Sequence, residues 1–380
     1  MSVLKVLIAG TGFAAEGHVA AFRAAGAEVV GIVGRTPDVL AQVAARHGIS
    51  WSGTDWLTAL EVCQPDIVSI ATPGGAHAVP IRQALDHGCH VFCEKPLAPD
   101  APTARALWDQ ARKAQVKTAF AASFRYTPGV RHAARLVAEG AIGHPTEVEC
   151  VSHFNLERGI PFGWSHRAEE GGGRLANNFT HTLGIVEAVL GGRVTSVCGD
   201  LRDDLKRAPI VSGVHNFATR RAHIPDNLDD PDLEWGASNV EWSYSVLGRL
   251  RSPLASDSVS VLFRHGGLIP RFNKDYIAFY GDRGAIHLGG HYGSGPLNLH
   301  DGTGWREIDT PRDIAEAAQG ISGETEQCWH HLAGLFVSDI LGAGADPYPT
   351  FADGYHAQNI IDTLRAGTAW TTLDLPEGLA

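Results

Sequence analysis

The segment VLKVLIAGTGFAAEGHVAAFRAAG, residues 3–26, changes period at a pair of glycines, and that change restricts the fold more than any other feature of the chain. Val3 to Ala9 is a run of strand length, apolar but for Lys5, the pattern of a parallel strand buried on both faces. Beyond Gly12 the apolar positions Ala15, Val19, Ala20 and Phe22 fall at helical spacing, and Gly26 supplies a stop. Between strand and helix lies Gly10-Thr11-Gly12-Phe13-Ala14-Ala15, a G-x-G-x-x-A turn. Gly10 permits the tight turn, Gly12 lets backbone approach a pyrophosphate, and small Ala15 lets helix pack on strand. Phe13 and Ala14 then open a helix whose first N–H groups are free to meet phosphate. Any tight strand-to-helix turn favours glycine, but a second apolar strand follows, AEVVGIV at 27–33, which is the context of a dinucleotide site.

In such sites a carboxylate after the second strand binds the adenosine ribose hydroxyls and repels a 2′-phosphate. This chain has Gly34-Arg35-Thr36 there, with no acid. Arg35 can offer a planar guanidinium to a phosphate or stack on adenine. The rule favours NADP(H) over NAD(H); the alternative is a solvated loop arginine with NAD(H) bound.

The alternation continues. A helix is expected from a Thr36 cap to Gly48, a strand in PDIVSIATP (65–73), a helix in HAVPIRQALDHG (77–88) and a strand in CHVFCEKP (89–96). Strands alternating with helices imply a doubly wound parallel sheet, whose ligands lie beyond the carboxyl ends of its strands. Thr72, Pro73, Glu94 and Lys95 occupy such ends. Pro96 disfavours helix at Lys95, so the chain stays extended and projects Glu94 and Lys95 into the crevice. A partly desolvated lysine can have its pKa lowered, hydrogen-bond a substrate oxygen and stabilise developing negative charge. A surface ion pair ending a strand is the plain alternative.

A chain of 380 residues suits two domains, and Pro128 and Gly129 interrupt the pattern where a boundary is expected. With 31 Lys+Arg against 42 Asp+Glu, a net charge of −11 argues against general binding of nucleic acid or anionic membrane. No apolar stretch approaches membrane-spanning length, and the chain opens on a strand rather than a secretory leader, so a cytoplasmic protein is expected. Cysteines 63, 89, 93, 150, 198 and 328 form no C-x-x-C pair and read as reduced, mostly buried thiols. HIPDNLDDPDLEW (223–235) lacks the glycine and spacing of a calcium loop and reads as a solvated loop. His330 and His331 are adjacent and cannot share a helix face, and H-E-x-x-H is absent, so no metal is expected.

The second half should open on a helix, 130–139, leading to a strand in TEVECVSHF (146–154). Further strands are expected in RVTSVCGDL, NVEWSYSVLG, DSVSVLFRHG, DYIAFYGD and AIHLGG, with final helices near 325–342 and 353–366. The chemistry is expected in GGGRLANNFTHTLG (171–184): after the glycines, Leu175 to Leu190 has helical character. Asn177 and His181, four apart, face one side of that helix, and His181 can exchange a proton near neutral pH. A lone helical histidine is more often structural. Arg125 and Tyr126 follow the strand VKTAFAASF and are candidates for the edge of the pocket, and Trp164 and Arg167 for its mouth. Aromatic core and surface arginine are the plain readings of the last two.

The glycine turn, ATPGGAHA (71–78), GCHVFCEKPLA (88–98), FRYTPGVRHAARLVAEGAIGHPTEV (124–148), EEGGGRLANNFTHTLGIVEAVLGG (169–192) and FADGYHAQNIIDTLRAG (351–367) together resemble the Gfo/Idh/MocA oxidoreductases. The resemblance implies a Rossmann domain over 1–124 and an α/β domain with an open, largely antiparallel sheet over 125–380, serving substrate binding and oligomerisation. It implies an NAD(P)-dependent oxidoreductase moving a hydride between nicotinamide and a sugar, cyclitol or related polyol or ketose, working as a homodimer or homotetramer. It places His77 and Arg125 with the cofactor residues, Glu94 near the nicotinamide ribose and Lys95 beside the reacting carbon, with a cis peptide before Pro96. His181 becomes the proton-exchanging group. The family often has an aspartate where this chain has Asn177, whose amide can orient a hydroxyl but cannot take a proton. Two other readings stay open: a cofactor-dependent glycoside-cleaving enzyme of the same fold, and a cofactor-binding protein without catalysis.

Overall fold

The computed structural model describes residues 3–214, 219–270, 275–317, 321 and 323–376. Its first half runs β1 (Lys5–Ala9), α1 (Phe13–Ala24), β2 (Glu28–Val33), α2 (Pro37–His47), β3 (Trp51–Gly53), α3 (Trp56–Cys63), β4 (Ile67–Ile70), α4 (Ala78–Asp86), β5 (His90–Cys93), α5 (Ala101–Ala114) and β6 (Thr118–Phe120). The six strands pair in parallel in the order β3-β2-β1-β4-β5-β6. Val6, Leu7 and Ile8 of the opening apolar run are fully buried, as a strand with helices on both faces requires. Gly48 ends α2 in the left-handed region at φ 58°, and the side chains of Asp55 and Asp100 cap α3 and α5. Edge strand β3 and helices α3 and α5 are additions to the elements expected from sequence.

The second half runs α6 (Pro128–Ala138), β7 (Pro145–His153), α7 (Thr180–Leu190), β8 (Arg193–Arg202), β9 (Arg207–Pro209), β10 (Trp235–Ala237), β11 (Ser243–Arg251), β12 (Val259–Gly266), β13 (Tyr276–Gly281), β14 (Ala285–Gly289), β15 (Leu297–His300), β16 (Trp305–Ile308), α8 (Arg312–Glu316), α9 (Glu324–Ile340), α10 (Phe351–Ala366) and β17 (Thr371–Thr372). Nine of these strands form one sheet, ordered β16-β15-β14-β13-β7-β12-β11-β8-β17. Only the β7–β12 pair in it is parallel; β9 and β10 pair separately. Apolar residues of α6, α7 and α10 bury one face of the sheet. Alternating burial along β11, with Leu247 at 45% exposure, leaves its other face open.

The C-terminal helices return to the first sheet. Trp329, Leu332, Ala333, Phe336 and Val337 of α9 join the core around α1, while Phe351 at the start of α10 joins the core beneath α5. Helix α1 admits this packing only because residue 17 is glycine: a Cβ there would lie 2.2 Å from the Trp329 ring. All six cysteines are free, five of them buried. Among the described residues, no helix is long and apolar enough to cross a membrane.

Candidate active site

The crevice begins at the carboxyl end of β1. Gly10 adopts φ +121°, and a Cβ there would meet the Ala71 carbonyl oxygen at 2.8 Å. A Cβ on Gly12 would meet nothing within 4 Å, so backbone is open to an approaching group. Gly12 caps α1 without a side chain, which leaves the first N–H groups of the helix, at Phe13 and Ala14, unmet. At the end of β4 the Thr72 hydroxyl is buried with no hydrogen-bond partner among the described residues, next to Pro73. Open glycine, free helix N–H groups and an unpartnered hydroxyl fit the phosphates and adjoining ribose of a dinucleotide. Arg35 and Thr36 are exposed beyond β2, and Arg35 has no ion-pair partner among the described residues.

At the end of β5, Glu94 is enclosed. One of its oxygens accepts from Trp329 Nε1 at 2.8 Å and lies 3.3 Å from His18 Nε2; the other accepts from the Lys95 N–H at 3.2 Å. The second nitrogen of His18 lies 2.9 Å from Ser69 Oγ. Burial alone would raise the Glu94 pKa, but His18, Lys95 and Trp329 together hold it below the ordinary value, as a carboxylate. The Lys95–Pro96 peptide is cis.

Lys95 Nζ donates to Asn177 Oδ1 at 3.1 Å. Asn177 sits in a π-helical turn, Leu175–Phe179, that leads into α7, so the single α-helix expected here is replaced by a widened first turn. Asn177 Nδ2 donates to the Gly173 carbonyl at 2.9 Å, which turns the amide oxygen toward the lysine. Burial lowers the Lys95 pKa; Glu94 pulls it back up and Arg174 pushes it down again.

His181 packs against the rings of Phe124 and Tyr292, with centroids at 4.6 and 5.1 Å. It is 6% exposed, and its Nδ1 is enclosed without a partner among the described residues, leaving Nε2 as the nitrogen able to exchange a proton. Burial, reinforced by the charges of Lys95, His291 and Arg174, lowers its pKa well below 6.5, so the imidazole is neutral at neutral pH. A neutral base beside an ammonium held by an amide can remove a hydroxyl proton while the ammonium stabilises the oxygen.

Residues 4–122 match the model of the oxidoreductase family with an NAD-binding Rossmann fold, and residues 130–287 match the Gfo/Idh/MocA C-terminal domain. A D-xylose 1-dehydrogenase (NADP(+)) of Haloferax volcanii is 34% identical over 235 residues, covering 59% of this chain and 69% of that protein. The chain belongs to the Gfo/Idh/MocA oxidoreductases. Levoglucosan dehydrogenase of Pseudarthrobacter phenanthrenivorans is 28% identical over 362 residues, covering 90% of this chain and 88% of that one. The solved apo form of a levoglucosan dehydrogenase shares the fold with a TM-score of 0.85 at 23% identity, over 99% of this chain and all of the other.

In this Gfo/Idh/MocA chain the other candidates occupy varied places. His77 is fully buried; its Nε2 donates to the Thr72 carbonyl at 2.7 Å and its Nδ1 lies 3.3 Å from Cys93 Sγ, so it braces the crevice from below instead of facing it. Arg125 and Tyr126 line a cavity of about 880 Å³ whose walls include neither Lys95, Asn177 nor His181. Tyr126 packs there against His331 with the rings tilted and their centroids 4.7 Å apart, and Phe124 takes the place against His181. The carbonyls of Trp164, Ser165 and Arg167 pack around Gly172; the Arg167 guanidinium pairs with Glu170 at 3.4 Å. Sequence reasoning missed Phe124, His18, Arg174, Tyr292 and Trp329. Phe124 and Arg174 each lie within a stretch already singled out, but Tyr292 and Trp329 carry no local signal, since both arrive from distant segments.

Proposed function

We propose that this chain is an NAD(P)-dependent dehydrogenase acting on a CH–OH group of a sugar or related polyol, with NADP(H) as the preferred cofactor. The convergence of Lys95, Asn177 and His181 beyond the end of β5 carries this reading. Bound in the crevice, the nicotinamide would supply the hydride acceptor or donor. Backbone at Gly10 and Gly12 and the N–H groups of Phe13 and Ala14 would hold the phosphates, Thr72 and Pro73 would border the ribose, and Arg35 with Thr36 would meet the adenosine end.

The chain's own residues do the rest. His181 takes the hydroxyl proton at Nε2, as its neutral state allows. Lys95 donates to the same oxygen as negative charge grows on it, and Asn177 keeps the ammonium aimed. Without a carboxylate at position 177, the proton work falls on His181 alone. Glu94, fixed by Trp329 and His18, holds the backbone that presents the lysine.

The names of relatives support a sugar substrate: levoglucosan dehydrogenase, D-xylose dehydrogenase and D-glucoside 3-dehydrogenase. A structural neighbour is described in complex with NADH and levoglucosan, whereas the Haloferax relative is named for NADP(+). Arg35, without an ion-pair partner among the described residues, supports NADP(H) for this chain. We further propose a division at residues 124 and 125, a cytoplasmic location suited to six free thiols, and a homodimer or homotetramer formed across the open face of the nine-stranded sheet. The test is formation of reduced nicotinamide from NAD(+) or NADP(+) across a panel of sugars and polyols. Turnover by the native chain, lost in Lys95→Ala, supports the assignment; turnover unchanged by that variant removes Lys95 from the chemistry.

A further inference from the structure

We propose that Arg174 forms a carboxylate-binding subsite in the same cleft, so that the substrate is an acidic sugar or polyol, a uronate or an aldonate. The proposal rests on the dehydrogenase reading above and narrows it. Arg174 stands three residues before Asn177 and opens the π-helical turn. Its side chain is linked through His265, Ser152 and Asn178 to Tyr292, whose ring packs on His181 at 5.1 Å.

The side chain is held, but not by an acid. Nε donates to His265 Nε2 at 2.9 Å, and the guanidinium lies over the Phe154 ring at 4.9 Å. Since His265 Nε2 accepts that bond, its proton sits on Nδ1 and is donated to Ser152 Oγ at 2.7 Å. Ser152 donates to Asn178 Oδ1 at 3.2 Å, and Asn178 in turn donates to the Tyr292 hydroxyl at 3.0 Å. Every member of this chain of bonds is buried or half-buried, so the guanidinium is fixed in position.

With Nε engaged, the two Nη groups remain, and none has an acceptor among the described residues. The nearby carboxylates are committed elsewhere. Glu241 accepts from the Leu175 N–H at 2.9 Å and pairs with Arg365 at 3.1 Å; Asp275 accepts from the His153 N–H at 3.0 Å and lies 3.2 Å from His291 Nδ1. Arg220 is a further cation of this region: burial, and then the charge of Arg174, lower its pKa to about 10. Lys95 likewise meets an amide, not an acid, at Asn177. A buried cation is stable when an anion meets it, and the paired Nη groups of a guanidinium match the two oxygens of a carboxylate. In a chain of net charge −11, a cleft in which neither Lys95 nor Arg174 forms an ion pair among the described residues selects an anion.

The test is calorimetric titration of the full chain, alone and saturated with NADPH or NADH, using matched acid and neutral probes: D-glucuronate with D-glucose, D-galacturonate with D-galactose, and D-gluconate with D-glucitol. At least one acid should bind about 10-fold or more tightly than its neutral partner, the range of a charge-assisted hydrogen-bonded pair. Arg174→Gln should reduce that preference to about 3-fold or less; Arg174→Lys, which keeps the charge without the fork, should fall between and serves alone if the glutamine variant fails to fold. Neutral partners binding as tightly as every acid, or an acid preference that survives the variants, overturns the proposal. D-Glucose 6-phosphate is the control for other anions, and its binding ahead of every carboxylate overturns the carboxylate assignment. Failure to bind either nicotinamide would instead overturn the dehydrogenase reading, while the probes on cofactor-free protein still decide the role of Arg174.

Discussion

Trp329 donates its indole N–H to Glu94 at 2.8 Å, joining α9 to the end of β5 across 235 positions of the chain. The acid that precedes Lys95 is thereby fixed by a residue near the C-terminus, and Gly17 makes room for it. Trp329→Phe keeps most of the packing and removes the donor, so it should destabilise the protein by about 1.5–3 kcal/mol, the worth of a hydrogen bond to a charged group. Gly17→Ala drives a methyl into the same ring and should cost about 1–3 kcal/mol by overpacking. Urea unfolding midpoints check both.

Glu187 should govern the acid limb of stability. It is buried between Arg193 at 2.8 Å and His356 at 2.9 Å, and accepts from the Val194 N–H at 3.0 Å. Burial alone would raise its pKa, but His356 and Arg193 prevail and bring it from 4.5 to about 2. A depressed carboxylate stabilises the fold above its unfolded pKa and loses that contribution as pH falls through the folded value. Stability should therefore decline from pH 4.5 toward about 2, and Glu187→Gln should remove about 3 kcal/mol at neutral pH and flatten that decline. Unfolding midpoints measured across the acid range check it.

His181 sets the expected pH dependence of turnover. Because its pKa is held well below 6.5, the neutral base persists as pH falls through the ordinary histidine range. The acid limb of kcat/KM due to this residue should lie below pH 6.5, and His181→Gln should lower kcat by about 100-fold or more and abolish that limb. A wild-type limb at or above 6.5 that disappears with His181 would contradict the assigned environment.

The fold was legible wherever local pattern and long-range packing agree. The run Val3 to Ala9 and the turn from Gly10 to Ala15 announce β1 and α1 because a buried parallel strand and a glycine turn are local necessities. Lys95, Asn177 and His181 were legible as candidates, each within a short motif, but the 3.1 Å contact across 82 positions was not. Asn177 was expected on an ordinary helix; the π-helical turn that carries it has no separate signature, because Leu-Ala-Asn-Asn-Phe suits either winding. Arg125 and Tyr126 were expected at the pocket by their place after a strand, yet in the short turn Ser123–Tyr126 it is the neighbouring Phe124 that meets His181. Which side chain of a tight turn faces which way depends on the packing around it, here Tyr292 and His331, and neither is near in sequence.

Arg35 makes cofactor choice testable by one substitution. If its guanidinium meets a 2′-phosphate, Arg35→Asp should lower kcat/KM for NADP(+) by about 10-fold or more, the worth of a charge-assisted contact, and lower that for NAD(+) less. Initial rates with each cofactor check it, and an equal effect on both would return Arg35 to the solvated loop.

In the proposed reaction Lys95 and His181 work at one substrate carbon beside the nicotinamide. Its most direct test follows the near-ultraviolet absorbance of reduced nicotinamide with wild type, Lys95→Ala and His181→Gln on one sugar or sugar acid that the wild type oxidises. Turnover should fall by about 100-fold or more in each variant, with cofactor binding retained. Turnover equal to wild type in either variant, or no nicotinamide reduced or bound by the native chain, would contradict it.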